Sequence, residues 1–129
     1  VAEHDEQVRF FDYVKWGRNR DRRFHLIFAI PNAGKRSFRL AAYMRAEGLL
    51  AGVPDICCAF PSGNYHGLWI ELKHAPPGMQ IQTRLRKVSN EQKEFLNRLR
   101  EQGYATAVCF GADEAIDTLN KYLEGTWKP

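Results

Sequence analysis

No uninterrupted apolar run in the sequence approaches the roughly 18 residues that a bilayer-crossing helix requires, so no such helix is expected. An export signal is missing too: residues 1–12 carry acids where a signal would place basic and then apolar residues. A soluble protein that is not exported is the expectation. Cysteine is scarce. Cys57, Cys58 and Cys109 make an odd count, each in an apolar stretch, without the spacing of a disulfide framework or a zinc site. They read as reduced core residues, since a zinc site recruiting His25, His66 or His74 would draw ligands scattered singly along the chain. Internal repeats and low-complexity tracts are also lacking. With 129 residues, 44% hydrophobic and 12% aromatic, the chain suits one core and one domain over residues 1–129.

Acids are nearly absent from residues 15–45, where nine Lys or Arg stand against Asp21 alone. Such a segment suits a polyanionic partner, although a solvated basic face would have the same composition. Its position relative to a catalytic site must decide.

Along the chain, residues 3–16 place Val8, Phe11 and Val14 near helical spacing, with Phe10 widening the stripe. Residues 17–23 read as a basic loop and 24–30 as a buried strand, which Pro31, Asn32 and Gly34 end. Residues 37–47 form a helix stopped at Gly48. Two short apolar runs, 55–60 and 67–73, flank Pro61, Ser62, Gly63 and Asn64, the punctuation of a hairpin. Residues 75–88 read as an exposed loop. Ser89 and Gln92 have capping-box spacing and open a helix that ends near Gly103. A strand over 104–110 and a helix over 112–123 close the chain. This order implies an α/β fold, a mixed sheet flanked by helices.

The hairpin carries the chemistry. Strand residues two apart share a face, so Glu71 and Lys73 point together while Ile70 and Leu72 point the other way. Asp55 and Glu71 are each eight residues from Gly63, so a hairpin symmetric about that glycine sets them opposite one another. Opposed residues have Cβ atoms roughly 4.5–5.5 Å apart, close enough for two carboxylates to share a cation. The same register pairs Ile56 with Ile70 and Cys58 with Leu68, an apolar face without a polar intruder. Oxygen donors favour magnesium or manganese over zinc. Such an ion activates water and neutralises charge on a phosphodiester, and Lys73 can hold that water or stabilise the charge. E-x-K alone is common in exposed strands; its weight comes from Gly52-Val53-Pro54-Asp55 upstream.

Taken together, the chain resembles the virus-type replication-repair nuclease (VRR-NUC) family of the PD-(D/E)xK nuclease superfamily over almost its whole length. The resemblance rests on Glu3-His4-Asp5-Glu6-Gln7, Pro31-Asn32-Ala33-Gly34-Lys35-Arg36, Gly52-Val53-Pro54-Asp55, Tyr65-His66-Gly67, Glu71-Leu72-Lys73 and Ser89-Asn90-Glu91-Gln92. It implies a restriction-endonuclease-like fold and a Mg2+-dependent nuclease, with Mn2+ able to substitute. It implies Asp55, Glu71 and the Leu72 carbonyl as metal ligands, Lys73 as the catalytic lysine and Gln92 as the glutamine beside it. A first-helix acid joins them; we place it at Glu3, which shares a helix face with Gln7, and hold Glu6 as the second choice. Gln92 reads equally as the capping-box residue. Residues 32–36 fail as a phosphate-binding loop, because Arg36 replaces the required Ser or Thr. They read instead as a basic turn in which Asn32, Lys35 and Arg36 touch DNA backbone, with Arg39 and Arg45 extending the track.

His66 reads as a turn residue, His74 as peripheral and Trp69 as packing support. Stand-alone, phage-like members of the family resemble resolvases that act on branched DNA as dimers. A Holliday-junction resolvase acting as a homodimer in the cytoplasm of a phage or bacterial system is therefore the leading expectation. A flap or single-strand nuclease, a restriction-like enzyme and a non-cleaving DNA-binding module are the alternatives. The aromatic stretch 122–127 is the candidate dimer surface.

Overall fold

A computed structural model, describing residues 2–32 and 37–129, has one four-stranded sheet with helices packed against it. Helix α1 (Ala2–Gly17) buries Glu6, Phe10, Val14 and Gly17, a line spaced for one helical face. The expected stripe through Val8 is therefore displaced: Val8 is exposed and Phe11 sits at the flank. Hydrophobicity alone could not centre the face on Glu6, a carboxylate with its own partner deep in the fold.

Asp21 accepts from the Arg23 N–H at 2.9 Å and starts a single 3-10 turn over Arg22–Leu26. That turn occupies the first half of the strand expected over 24–30, leaving β1 (Ile27–Ala29). It also carries the Phe24 ring against Gly17, where any Cβ would collide with it. Helix α2 (Phe38–Ala46) starts where the Ser37 hydroxyl accepts from Leu40 N–H at 3.2 Å. It stops at Gly48, whose φ of 107° few other residues adopt.

Strands β2 (Ile56–Cys58) and β3 (Leu68–Lys73) pair antiparallel, Ile56 opposite Ile70 and Cys58 opposite Leu68. This is the register that symmetry about Gly63 predicts. β1 extends the sheet antiparallel to β2, and β4 (Ala105–Phe110) lies parallel to β3 on its far side. The order β1-β2-β3-β4 makes the sheet mixed, as expected.

Residues 75–88 are not all loop: helix α3 (Ile81–Arg86) forms there, burying none of its residues. The prolines and glycine that suggest a loop end at Gly78, and residues 81–86 contain neither. Helix α4 (Asn90–Glu101) opens on the full capping box of Ser89 and Gln92. Helix α5 (Ala112–Leu123) has the expected bounds.

Phe10 and Val14 of α1 and Ala115 and Leu119 of α5 meet Leu68, Ile70 and Leu72 of β3 in the core. Cys57, Cys58 and Cys109 are buried and unpaired, and burial pushes the Cys57 thiol up to about 11, so it stays protonated. Part of the stretch expected to pair two copies packs within the chain, while residues 124–126 are exposed. Tyr122 is 1% exposed and donates its hydroxyl to the Phe60 carbonyl at 2.8 Å, while Trp127 meets the Tyr65 ring edge-on. No helix among the described residues is long and apolar enough to cross a membrane.

Tyr122→Phe leaves that buried carbonyl without its donor. It should lower stability by about 1–3 kcal/mol with an unchanged m-value in urea denaturation; a midpoint equal to wild type would show the bond contributes nothing.

Candidate active site

Asp55 stands one residue before β2, where Pro54 is buried and Gly52 turns the chain with φ 87°. A Cβ on Gly52 would lie 2.6 Å from the Glu91 carbonyl oxygen, so glycine lets this loop close on the first turn of α4. The Asp55 backbone carbonyl accepts from Ile30 N–H at 2.8 Å, and its Oδ2 accepts from Leu72 N–H at 2.8 Å. The side chain thereby reaches across the hairpin to the strand that bears Glu71 and Lys73.

Glu71 is buried, 3% exposed, on the sheet face opposite the Leu68, Ile70 and Leu72 core. Its Oε2 accepts from Gln92 Nε2 at 3.1 Å and lies 3.3 Å from Lys73 Nζ. Gln92 Oε1 in turn accepts from Lys73 Nζ at 3.2 Å and from Ser89 N–H at 3.0 Å. Gln92 thus closes the capping box and at the same time bonds to Lys73 and Glu71. Two donors on Oε1 fix the amide so that its NH2 faces the carboxylate.

The Asp55 and Glu71 carboxyls are close enough for the charge on one to act on the other. Burial raises the Asp55 pKa above the ordinary carboxylate range. Burial first, and then the Asp55 charge, push Glu71 up to about 8, against the pull of Lys73. Two desolvated carboxylates facing one another fit a hard divalent cation, which relieves both the repulsion and the burial penalty. Magnesium in particular binds through one or two carboxylates and keeps waters in its other positions. Among the described residues no three His, Cys, Asp or Glu side chains converge as a fuller cage.

A cleft of about 460 Å³ opens over this pair, lined by Asp55, Glu71, Lys73 and Gln92, with Glu3, Asn32 and Arg45 also on its walls. Of the two first-helix acids, Glu3 is at the cleft. Glu6 lies elsewhere: its Oε1 accepts from Ala112 N–H at 3.2 Å and pairs with Arg9, and its Oε2 is 3.5 Å from His74 Nδ1. Gln7, expected to share a helix face with Glu3, lines a separate hollow with His4, Val8 and Phe11. The Leu72 side chain is in the core while its backbone runs between Glu71 and Lys73. Arg39 is exposed on α2; Lys35 and Arg36 lie outside the described residues. Trp69 packs edge-on against Tyr104, and His66 packs beside the same ring. Leu49, Leu50 and Val53 also line the cleft; nothing in their sequence marks them, since apolar residues after a helix read equally as core.

A carboxyl with a raised folded-state pKa binds its proton more tightly in the folded chain. Its contribution therefore favours the fold below the unfolded value and is lost as pH rises through the folded one. For Glu71 the window runs from 4.5 to about 8. In EDTA, the melting temperature should fall across it more steeply for wild type than for Glu71→Gln, and a divalent cation should reverse the difference. Parallel profiles for the two proteins would refute the buried pair.

Comparison with known proteins identifies the family. The VRR-NUC domain profile matches residues 1–113. A solved structure described as a VRR_NUC domain protein superposes with a TM-score of 0.72 at 25% identity, over 96% of this chain and 89% of the other. Among curated proteins no sequence match is found. The chain belongs to the VRR-NUC family, nucleases that act on DNA with divalent metal ions.

Proposed function

We propose that residues 1–129 act as one Mg2+-dependent DNA endonuclease, with Mn2+ able to substitute, and that the substrate is branched DNA cut by a homodimer inside the cell, as in junction resolution during DNA repair. The observation that carries the catalytic reading is the facing pair Asp55 and Glu71 beside Lys73 at the floor of an open cleft. A module that only binds DNA gains nothing from two acids where phosphates must approach.

In this reading Asp55, Glu71 and the Leu72 carbonyl would hold the magnesium, with Glu3 the further acid that lines the same cleft. When bound, the ion supplies Lewis-acid stabilisation of the charge that builds on the phosphodiester. Leu72 N–H and Gln92 Nε2 orient the two carboxylates before substrate arrives. Lys73, whose side chain is 15% exposed, extends its ammonium into the cleft. There it orients the attacking water or bonds a non-bridging phosphate oxygen. Water attaches to phosphorus, one P–O ester bond breaks, and a phosphomonoester and a hydroxyl result. Asn32, Lys35, Arg36 and Arg39 contact the flanking backbone, supplying affinity without sequence readout. A dimer presents two such centres related by two-fold symmetry, matching the two cuts that a four-way junction requires.

Labelled junctions, flaps, duplexes and single strands incubated with magnesium test this. Asp55→Asn and Glu71→Gln should each abolish cleavage while circular dichroism and DNA affinity stay near wild type; full turnover in both would show the site is misassigned. Paired incisions on a junction bound by a dimer, measured by light scattering, are expected. One monomer making one nick would favour a flap or single-strand nuclease instead.

The basic turn has a separate readout. Lys35→Ala with Arg36→Ala should weaken duplex binding and reduce the logarithmic salt slope by roughly 0.9 for every phosphate that is no longer neutralised; an unaltered slope would remove this turn from the interface.

A further inference from the structure

Large apolar side chains lie bare on α2 and just beyond it. Phe38 is 87% exposed, Tyr43 66% and Leu50 63%. The helix buries Ala41 alone, so these rings are not held there by packing. Helical spacing puts Phe38 with Ala42 and Arg39 with Tyr43 on adjoining lines of the solvent face, two flat side chains around a small residue. Arg45 stands on the Phe38 edge and lines the cleft. Among the described residues, neither Arg39 nor Arg45 forms an ion pair, and α2 carries no acid from Phe38 to Ala46.

That chemistry selects among occupants. A second copy of α2 paired about a two-fold axis would bring four guanidinium groups together with only the C-cap Glu47 of each copy to compensate. Paired duplex would engage the guanidinium groups but leave the rings idle, because its bases are already stacked on each other. Unpaired bases use both, since their faces stack on exposed rings and their phosphates meet the interleaved arginines.

We propose that the solvent face of α2 is a stacking platform for unpaired DNA bases at the mouth of the cleft, Phe38 and Tyr43 supplying the rings and Arg39 and Arg45 the charge. The proposal rests on the chain acting on DNA at the Asp55 and Glu71 site, and adds what is recognised beside it.

The test is a binding measurement in an Asp55→Asn background, so that no strand is cut. The probes are duplexes with single-stranded overhangs of either polarity, carrying 2-aminopurine in the unpaired segment, and a blunt duplex of equal length. Overhang binding should quench the 2-aminopurine fluorescence. Phe38→Leu with Tyr43→Leu, both at exposed positions, should abolish the quench and weaken overhang binding on the order of tenfold per stacked base. Blunt-duplex affinity should hold, with circular dichroism confirming the fold. Failure of either overhang to bind or quench, an unchanged affinity in the double variant, or an equal loss on blunt duplex each overturns the platform. Conversion of a dimeric parent to a monomer by the double variant also overturns it, assigning the face to a second copy. Continued cleavage by Asp55→Asn would sink the catalytic assignment and leave these binding results readable, so the two failures are distinct.

Discussion

Asp55 and Glu71 repel each other, and the surrounding fold has to hold two desolvated carboxyls side by side against that repulsion. It does so with donors that come from β3 and α4: the Leu72 amide on Asp55, and the Gln92 amide and Lys73 ammonium on Glu71. All of these depend on one register. A slip of one residue between β2 and β3 would turn Glu71 into the apolar layer and present Ile70 and Leu72 to the cleft. The core and the site are therefore two faces of a single pairing, each enforcing the other.

Glu6 applies the same physics to a structural end. Helix α5 begins at Gly111, a cap residue with no side chain, and at φ 96° a position that favours glycine. The orphan Ala112 N–H is satisfied by Glu6 reaching over from α1, a carboxylate placed where the helix dipole is positive. Three residues away on the same helix, Glu3 stays exposed at the cleft. Acids of the same type thus part company through which end of which element they meet.

Much of this was legible in the sequence because the governing patterns are local. The hairpin register followed from apolar alternation and a central glycine, the α4 cap from Ser89 and Gln92, and the bounds of α5 from its spacing. What escaped was tertiary. Nothing near Glu6 announces that its partner is an amide 106 positions on. Nothing near Phe24 announces that Gly17 leaves room for its ring, which turns the start of an expected strand into a 3-10 turn. The two roles of Gln92 compete in sequence only if one amide serves one purpose; its oxygen has two lone pairs, and both are used.

The close approach of Gly52 to the Glu91 backbone has a mechanical consequence. The loop that leads into Asp55 and the turn that holds Gln92 touch main chain to main chain, with no room to slide. They form a fixed floor. The opposite wall runs from α2 through Leu49 and Leu50, and α2 is fastened by little more than Ala41. An outward shift of that wall would therefore cost little buried apolar surface, and it would leave the spacing of the reacting groups on the floor unchanged.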